Sequence, residues 1–165
     1  MGDRADTAAV LGAGVMGSAI AAHLSGAGMR THLMDIVPPD LSGEARKDPR
    51  ARNRFAESGL SKALKAKPAA FYDPGAARLI VPGNFEDHFD RLRECDLIIE
   101  AVVERLEVKK ELFAKVAAAA GPETLLASNT SGLSIARIGE DLPADAQRRL
   151  LVMHFFNPVR YMRLL

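Results

Sequence analysis

The chain holds a single cysteine, Cys95, in 165 residues. An internal disulfide is therefore excluded. One thiol is compatible with a reducing cytoplasm, which is the location expected. No apolar run reaches the ~20 residues that a membrane helix needs. No apolar stretch follows the charged residues 1–7, so no signal peptide is read there. Formal net charge is +1. No global field then recruits nucleic acid or an acidic membrane surface, and neither is an expected partner. The four histidines are scattered and lack cysteine companions, so no metal-ligand spacing exists and no metal is expected.

What is present is an ordinary globular composition, 48% apolar and 26% charged, long enough for one domain with a full core. Residues 7–11 read as a short buried strand. Glycines at 12 and 14 make a turn, and residues 15–27 carry small and apolar side chains at helical spacing until Gly28. A second strand covers 30–36. Pro38-Pro39 breaks the pattern. A basic stretch from Arg46 to Arg54 reads as a solvated face, and 52–67 as an amphipathic helix ended by Pro68. Residues 79–81 read as a short strand closed by Pro82-Gly83. The series then repeats more clearly: strand 96–102, helix 106–119, strand 124–127, a polar turn at 128–131, and strand 150–155. Strands alternating with helices predict an α/β fold. We expect a Rossmann-type, doubly wound, mainly parallel sheet with helices on both faces. Residues 1–165 form one domain in this reading, with 36–75 as a helical insertion.

Gly12-Ala13-Gly14-Val15-Met16-Gly17 has the pattern G-x-G-x-x-G. The pattern alone is common, but here a strand precedes it and a helix follows it. Asp35 ends the next strand, eighteen residues past Gly17, near the spacing of the acid that binds ribose hydroxyls. Gly12 permits the tight turn, Gly14 lets a pyrophosphate approach the backbone, and Gly17 allows close helix–strand packing. The free N–H groups at the helix start, around Val15 and Met16, would face the phosphates. A carboxylate at 35 repels a 2′-phosphate, and no Arg directly follows it, so NAD is expected rather than NADP.

Two later stretches add to this. One runs Cys95-Asp96-Leu97-Ile98-Ile99-Glu100-Ala101-Val102-Val103-Glu104 and leads into Val108-Lys109-Lys110-Glu111-Leu112-Phe113. The other is Ala127-Ser128-Asn129-Thr130-Ser131, followed by His154-Phe155-Phe156-Asn157-Pro158. With the glycine turn, these resemble the 3-hydroxyacyl-CoA dehydrogenase family of fatty-acid β-oxidation. The resemblance covers the chain outside 38–74. Residues 67–74 and 81–87 further resemble long bacterial multifunctional members.

The resemblance implies oxidation of L-3-hydroxyacyl-CoA to 3-oxoacyl-CoA with NAD. It makes His154 the catalytic base, a task that suits an imidazole. It places Ser131 at the substrate hydroxyl and nicotinamide, and Asn157 at the same site. It puts Ala101, Glu104, Lys109 and Asn129 along the cofactor, and Glu104 and Lys109, opposite in charge, are free to pair. Ser61 and Lys67 fall where the family's helix approaches the CoA moiety. The family's histidine is oriented by a glutamate twelve residues later, which would be position 166, one past Leu165. The family also has a C-terminal helical domain that completes the acyl-CoA pocket and forms the homodimer. The expectation is therefore a chain that binds NAD but is catalytically incomplete alone. Two other readings remain open. A non-catalytic NAD(H)-binding module shares the fold. The β-hydroxyacid dehydrogenases share the glycine turn, but use a lysine base in a later domain. Ser131 also has a plainer role open to it, as a cap for a helix near Ser134.

Overall fold

A computed structural model describes residues 5–162. Its centre is a six-stranded sheet in the order β3-β2-β1-β4-β5-β6. The strands are β1 Thr7–Leu11, β2 Arg30–Asp35, β3 Ile80–Asn84, β4 Leu97–Glu100, β5 Leu125–Ser128 and β6 Leu150–Val152. Every pairing is parallel. The central strands are apolar runs rather than alternating ones, because both faces of a parallel sheet are covered. Successive side chains point to opposite faces. Ala8 and Val10 thus join a core with Ile20, Leu33 and Ile99, while Ala9 and Leu11 join a second with Met34, Phe113 and Leu126.

Helix α1, Val15–Gly26, covers the first face. Helix α4, Leu106–Ala119, covers the second with Leu112, Phe113 and Val116. Two short helices, α5 Ile135–Gly139 and α6 Ala144–Arg148, complete that side through Ile138 and Ala146; α6 has no counterpart in the sequence reading. Among the described residues, no helix is long and apolar enough to cross a membrane.

Three sequence expectations need correction. The helix expected over 52–67 is two helices, α2 Pro49–Arg52 and α3 Arg54–Leu64. They meet at Asn53, whose side chain accepts a hydrogen bond from Asn84 Nδ2 at 2.7 Å. Pro82-Gly83 does not close β3 but lies inside it. β3 is an edge strand, where a missing N–H is tolerated. The strand expected to reach 155 ends at Val152.

The 36–75 segment packs on the first face. A Cβ on Gly59 would lie 2.5 Å from both Ala13 O and Ser18 Oγ, so α3 sits directly against the start of α1. Of the basic stretch, Arg52 is not a free surface charge. Its guanidinium reaches Asp87 at 2.6 Å and Glu86 at 2.9 Å. This clasp ties α2 to the loop after β3.

Candidate functional site

Strand order reverses between β1 and β4, which opens a crevice at their carboxyl ends. The glycine turn lies there. Gly12 has φ +106°, and a Cβ would sit 2.6 Å from Ala101 O. Only glycine meets both conditions. A Cβ on Gly17 would lie 1.8 Å from Gly12 O, so α1 can pack this close to the turn only with glycine there. Gly14 is different: a Cβ there would meet nothing within 4 Å. Its surroundings are open space at the N-terminus of α1. No side chain caps that end and its first turn carries no acid. The free N–H groups and the helix dipole suit a phosphate in that space. Val15 is largely exposed beside it, and Met16 packs against the first core.

Asp35 closes the other side of the turn. Its carboxylate accepts the Ala13 N–H at 2.6 Å and the Ile36 N–H at 2.7 Å. A cavity of about 890 Å³ runs from Gly12, Gly14 and Asp35 past Ala101 and Val102 to α4. Its size suits an organic ligand with an extended shape. The open space at Gly14 and the carboxylate at 35 are what a dinucleotide's pyrophosphate and ribose require, so the residues present fit such a cofactor.

The next feature is a buried ionic chain. Glu100 ends β4 fully buried, and Lys109 on α4 is 1% exposed. Lys109 Nζ donates to Glu100 Oε1 at 2.6 Å and lies 3.1 Å from Glu104 Oε2. Glu100 also accepts from Ser128 Oγ at 2.6 Å and from the Val102 N–H at 2.7 Å. Glu104, partly exposed, accepts at Oε1 from Thr130 Oγ1 at 2.5 Å and from the Ser131 N–H at 3.0 Å. Partial desolvation opposes its ionisation. Hydrogen bonds from Thr130, Lys109 and the Ser131 backbone outweigh that, and hold its pKa down at about 2.

The third group gathers around the turn after β5. Asn129 Oδ1 accepts the Phe155 N–H at 2.8 Å, and Ser128 O accepts the Met153 N–H at 3.0 Å. His154 lies between those two anchored residues. Its ring centroid is 4.5 Å from that of Phe156. Ser131 is exposed and does not cap α5, whose N-cap Ser134 makes no side-chain cap bond either. Asn157 lines a second cavity, of about 410 Å³, between α1, α3 and the 157–160 segment. Lys67 lines it too, as do Lys62 and Arg160, while Ser61 does not.

The structure thus brings Gly12, Gly14, Asp35 and Ala101 to one cavity. It links Glu104, Lys109 and Ser131 through hydrogen bonds, and ties Asn129 to the His154 segment. Glu100, Lys62 and Arg160 carried no role in the sequence reading. Glu100 was detectable: it is the one charged residue of β4. Lys109 falls at helical spacing with Leu112, Phe113 and Val116, on the buried face.

Comparisons with known proteins follow the same lines. The sequence model of the family described as "3-hydroxyacyl-CoA dehydrogenase, NAD binding domain" matches residues 7–165. A Bacillus subtilis protein named "Probable 3-hydroxyacyl-CoA dehydrogenase" is 45% identical over 164 residues, 96% of this chain and 21% of the relative. A Deinococcus radiodurans protein of the same name is 46% identical over 158 residues, 96% of this chain and 43% of the relative. The crystal structure of 3-hydroxybutyryl-CoA dehydrogenase from Escherichia coli superposes with a TM-score of 0.68 at 34% identity. That match covers 96% of this chain and 31% of the other. The chain spans less than half the length of each of these proteins. The cofactor of the family's domain is NAD. The chain belongs to the 3-hydroxyacyl-CoA dehydrogenase family, as an NAD-binding domain with a Rossmann fold.

Proposed function

We propose that this domain serves the oxidation of L-3-hydroxyacyl-CoA to 3-oxoacyl-CoA in fatty-acid β-oxidation. The observation that carries the reading is the seating of His154. Its two neighbours are hydrogen-bonded to the 128–129 turn that leads to Ser131, at the strand ends where the glycine turn also lies. When bound, NAD supplies the hydride acceptor. His154 takes the hydroxyl proton of the substrate, so that the carbonyl forms as the C–H hydride departs. Ser131 and Asn157 hold that hydroxyl oxygen in place, and Asn129 keeps the His154 segment in register. Gly12, Gly14, Val15 and Met16 take the pyrophosphate, with Gly17 seating α1 beside it; Asp35 takes the adenosine ribose, and Ala101 and Glu104 flank the nicotinamide half, with Lys109 behind Glu104.

Lys67 is assigned to the acyl-CoA, in the cavity it shares with Lys62 and Arg160; Ser61 is assigned there too, and lies on α3 beside Lys62. Two lysines and an arginine suit the anionic CoA moiety. A helical domain elsewhere in the longer protein completes the acyl pocket and carries the homodimer contact, with 1–165 as a single cofactor domain holding 36–75 as its insertion. The cytoplasm is the proposed location.

Fluorescence titration with NADH tests the cofactor half, and saturable binding is expected. No binding at millimolar NADH would overturn the reading. Acetoacetyl-CoA reduction by the longer protein tests the substrate half, and loss of NADH absorbance is the expected result.

A further inference from the structure

The buried ionic chain holds two carboxylates and one ammonium. Glu100 and Lys109 are both withdrawn from water, yet neither touches the cavity that takes the cofactor. A fully buried ion pair is a poor way to gain stability, since desolvation offsets the attraction. Apolar residues of similar volume would serve the core as well. The pair therefore calls for another explanation, and its geometry supplies one.

Each partner reaches a different strand end. Glu100 takes the Ser128 hydroxyl with one oxygen, and the Val102 N–H and Lys109 with the other. Lys109 then reaches outward to Glu104 Oε2. Glu104 spends its other oxygen on Thr130 Oγ1 and on the N–H groups of Ser131 and Gly132. A continuous path of charge-assisted bonds thus runs from the end of β4, through α4, to the turn that carries Ser131. Without the Lys109 contact, Glu104 retains only its bonds to the turn itself.

We propose that Glu100 and Lys109 are a positioning pair. Together they hold the Glu104 carboxylate, and through it the 130–132 turn, in the orientation that the nicotinamide half of the cofactor meets. Glu100 sets the place of the Lys109 ammonium, and Lys109 sets the place of Glu104. The inference rests on the functional reading above for what Glu104 faces.

The test must separate positioning from mere support of the fold. Lys109→Met alone leaves Glu100 buried without a cation and is expected to destabilise the chain. The double variant Glu100→Gln/Lys109→Met removes both charges at once. Gln keeps an oxygen for Ser128 or Val102, and Met fills the lysine stem. Its melting temperature is expected to return close to that of the parent. Two further readouts are then decisive. Carbon-13 NMR of the side-chain carboxyls should show Glu104 titrating well above its parent value. NADH affinity should fall about ten- to hundredfold, the usual scale for losing a hydrogen bond to a charged group. A double variant that is restored in melting temperature, in Glu104 titration and in NADH affinity would reduce the pair to a structural one and overturn the inference. The Glu104 titration needs no cofactor. If the parent chain fails to bind NADH, the functional reading falls, while the titration still decides whether the pair positions Glu104.

Discussion

A Cβ placed on Gly17 would sit 1.8 Å from the carbonyl oxygen of Gly12, whereas one placed on Gly14 would touch nothing within 4 Å. Two glycines of one motif thus serve opposite ends. Gly17 is demanded by the fold, and Gly14 leaves room for a ligand. Gly17→Ala should cost about 3 kcal/mol or more, because the carbonyl in its way is backbone. In a chain of this size that lowers the melting temperature by about 6–12 °C. Gly14→Val should leave the melting temperature near that of the parent and abolish NADH binding. Calorimetry and NADH titration on both variants check the contrast. A Gly14→Val chain that binds NADH like the parent would misplace the phosphate.

Asp35 holds the Ala13 N–H and is assigned to the ribose. Asp35→Ala should weaken NAD binding by about 1–3 kcal/mol, the range for hydrogen bonds to a charged group. Binding of NADP should weaken less or improve, since the repelling charge is gone. Parallel titrations with NADH and NADPH measure the ratio, and an unchanged ratio removes Asp35 from that role.

His154 is the proposed base. In the longer protein, His154→Gln should lower kcat by roughly two to four orders of magnitude. NADH affinity should barely move, because no residue of the glycine turn is touched. Stopped-flow reduction of acetoacetyl-CoA provides the measurement. Parent-like turnover would put the base elsewhere.

Glu104 gives a pH signature. Its folded pKa of about 2 lies below its ordinary value of 4.5. Stabilisation by its bonds is therefore fully present above about pH 4.5, and is lost as pH falls toward 2. The side chain is 41% exposed, so screening keeps the effect below about 1 kcal/mol. Melting curves of the parent and Glu104→Gln should differ by a constant amount above pH 5. The gap should shrink on acidification. A gap that widens with acid would contradict the assigned bonds.

Much of this was readable in the chain. The alternation of apolar runs and helical spacing led to the parallel sheet, and the strand–turn–helix context of the glycines led to the dinucleotide crevice. Those signals are local and periodic. What escaped depended on partners distant in sequence. The break at Asn53 follows from Asn84, thirty-one residues away. The inclusion of Pro82 in β3 follows from its place at the sheet edge. Lys109 was linked to Glu104 from charge alone, but its burial depended on Glu100, which spacing along the strand left unremarked. Lys62 and Arg160 become neighbours of Lys67 only once α3 and the 157–160 segment close on one cavity.

Pro82 has a consequence beyond its own strand. It has no N–H to offer, and its carbonyl is engaged at long range, 3.5 Å, by the Arg91 guanidinium. The β3 margin of the sheet therefore presents a broken ladder to any strand laid beside it. The opposite margin, β6, is only three residues long. The two margins thus differ in kind, β3 interrupted at Pro82 and β6 merely short. A strand added along β3 would therefore lose one backbone bond at Pro82, which disfavours augmentation on that side.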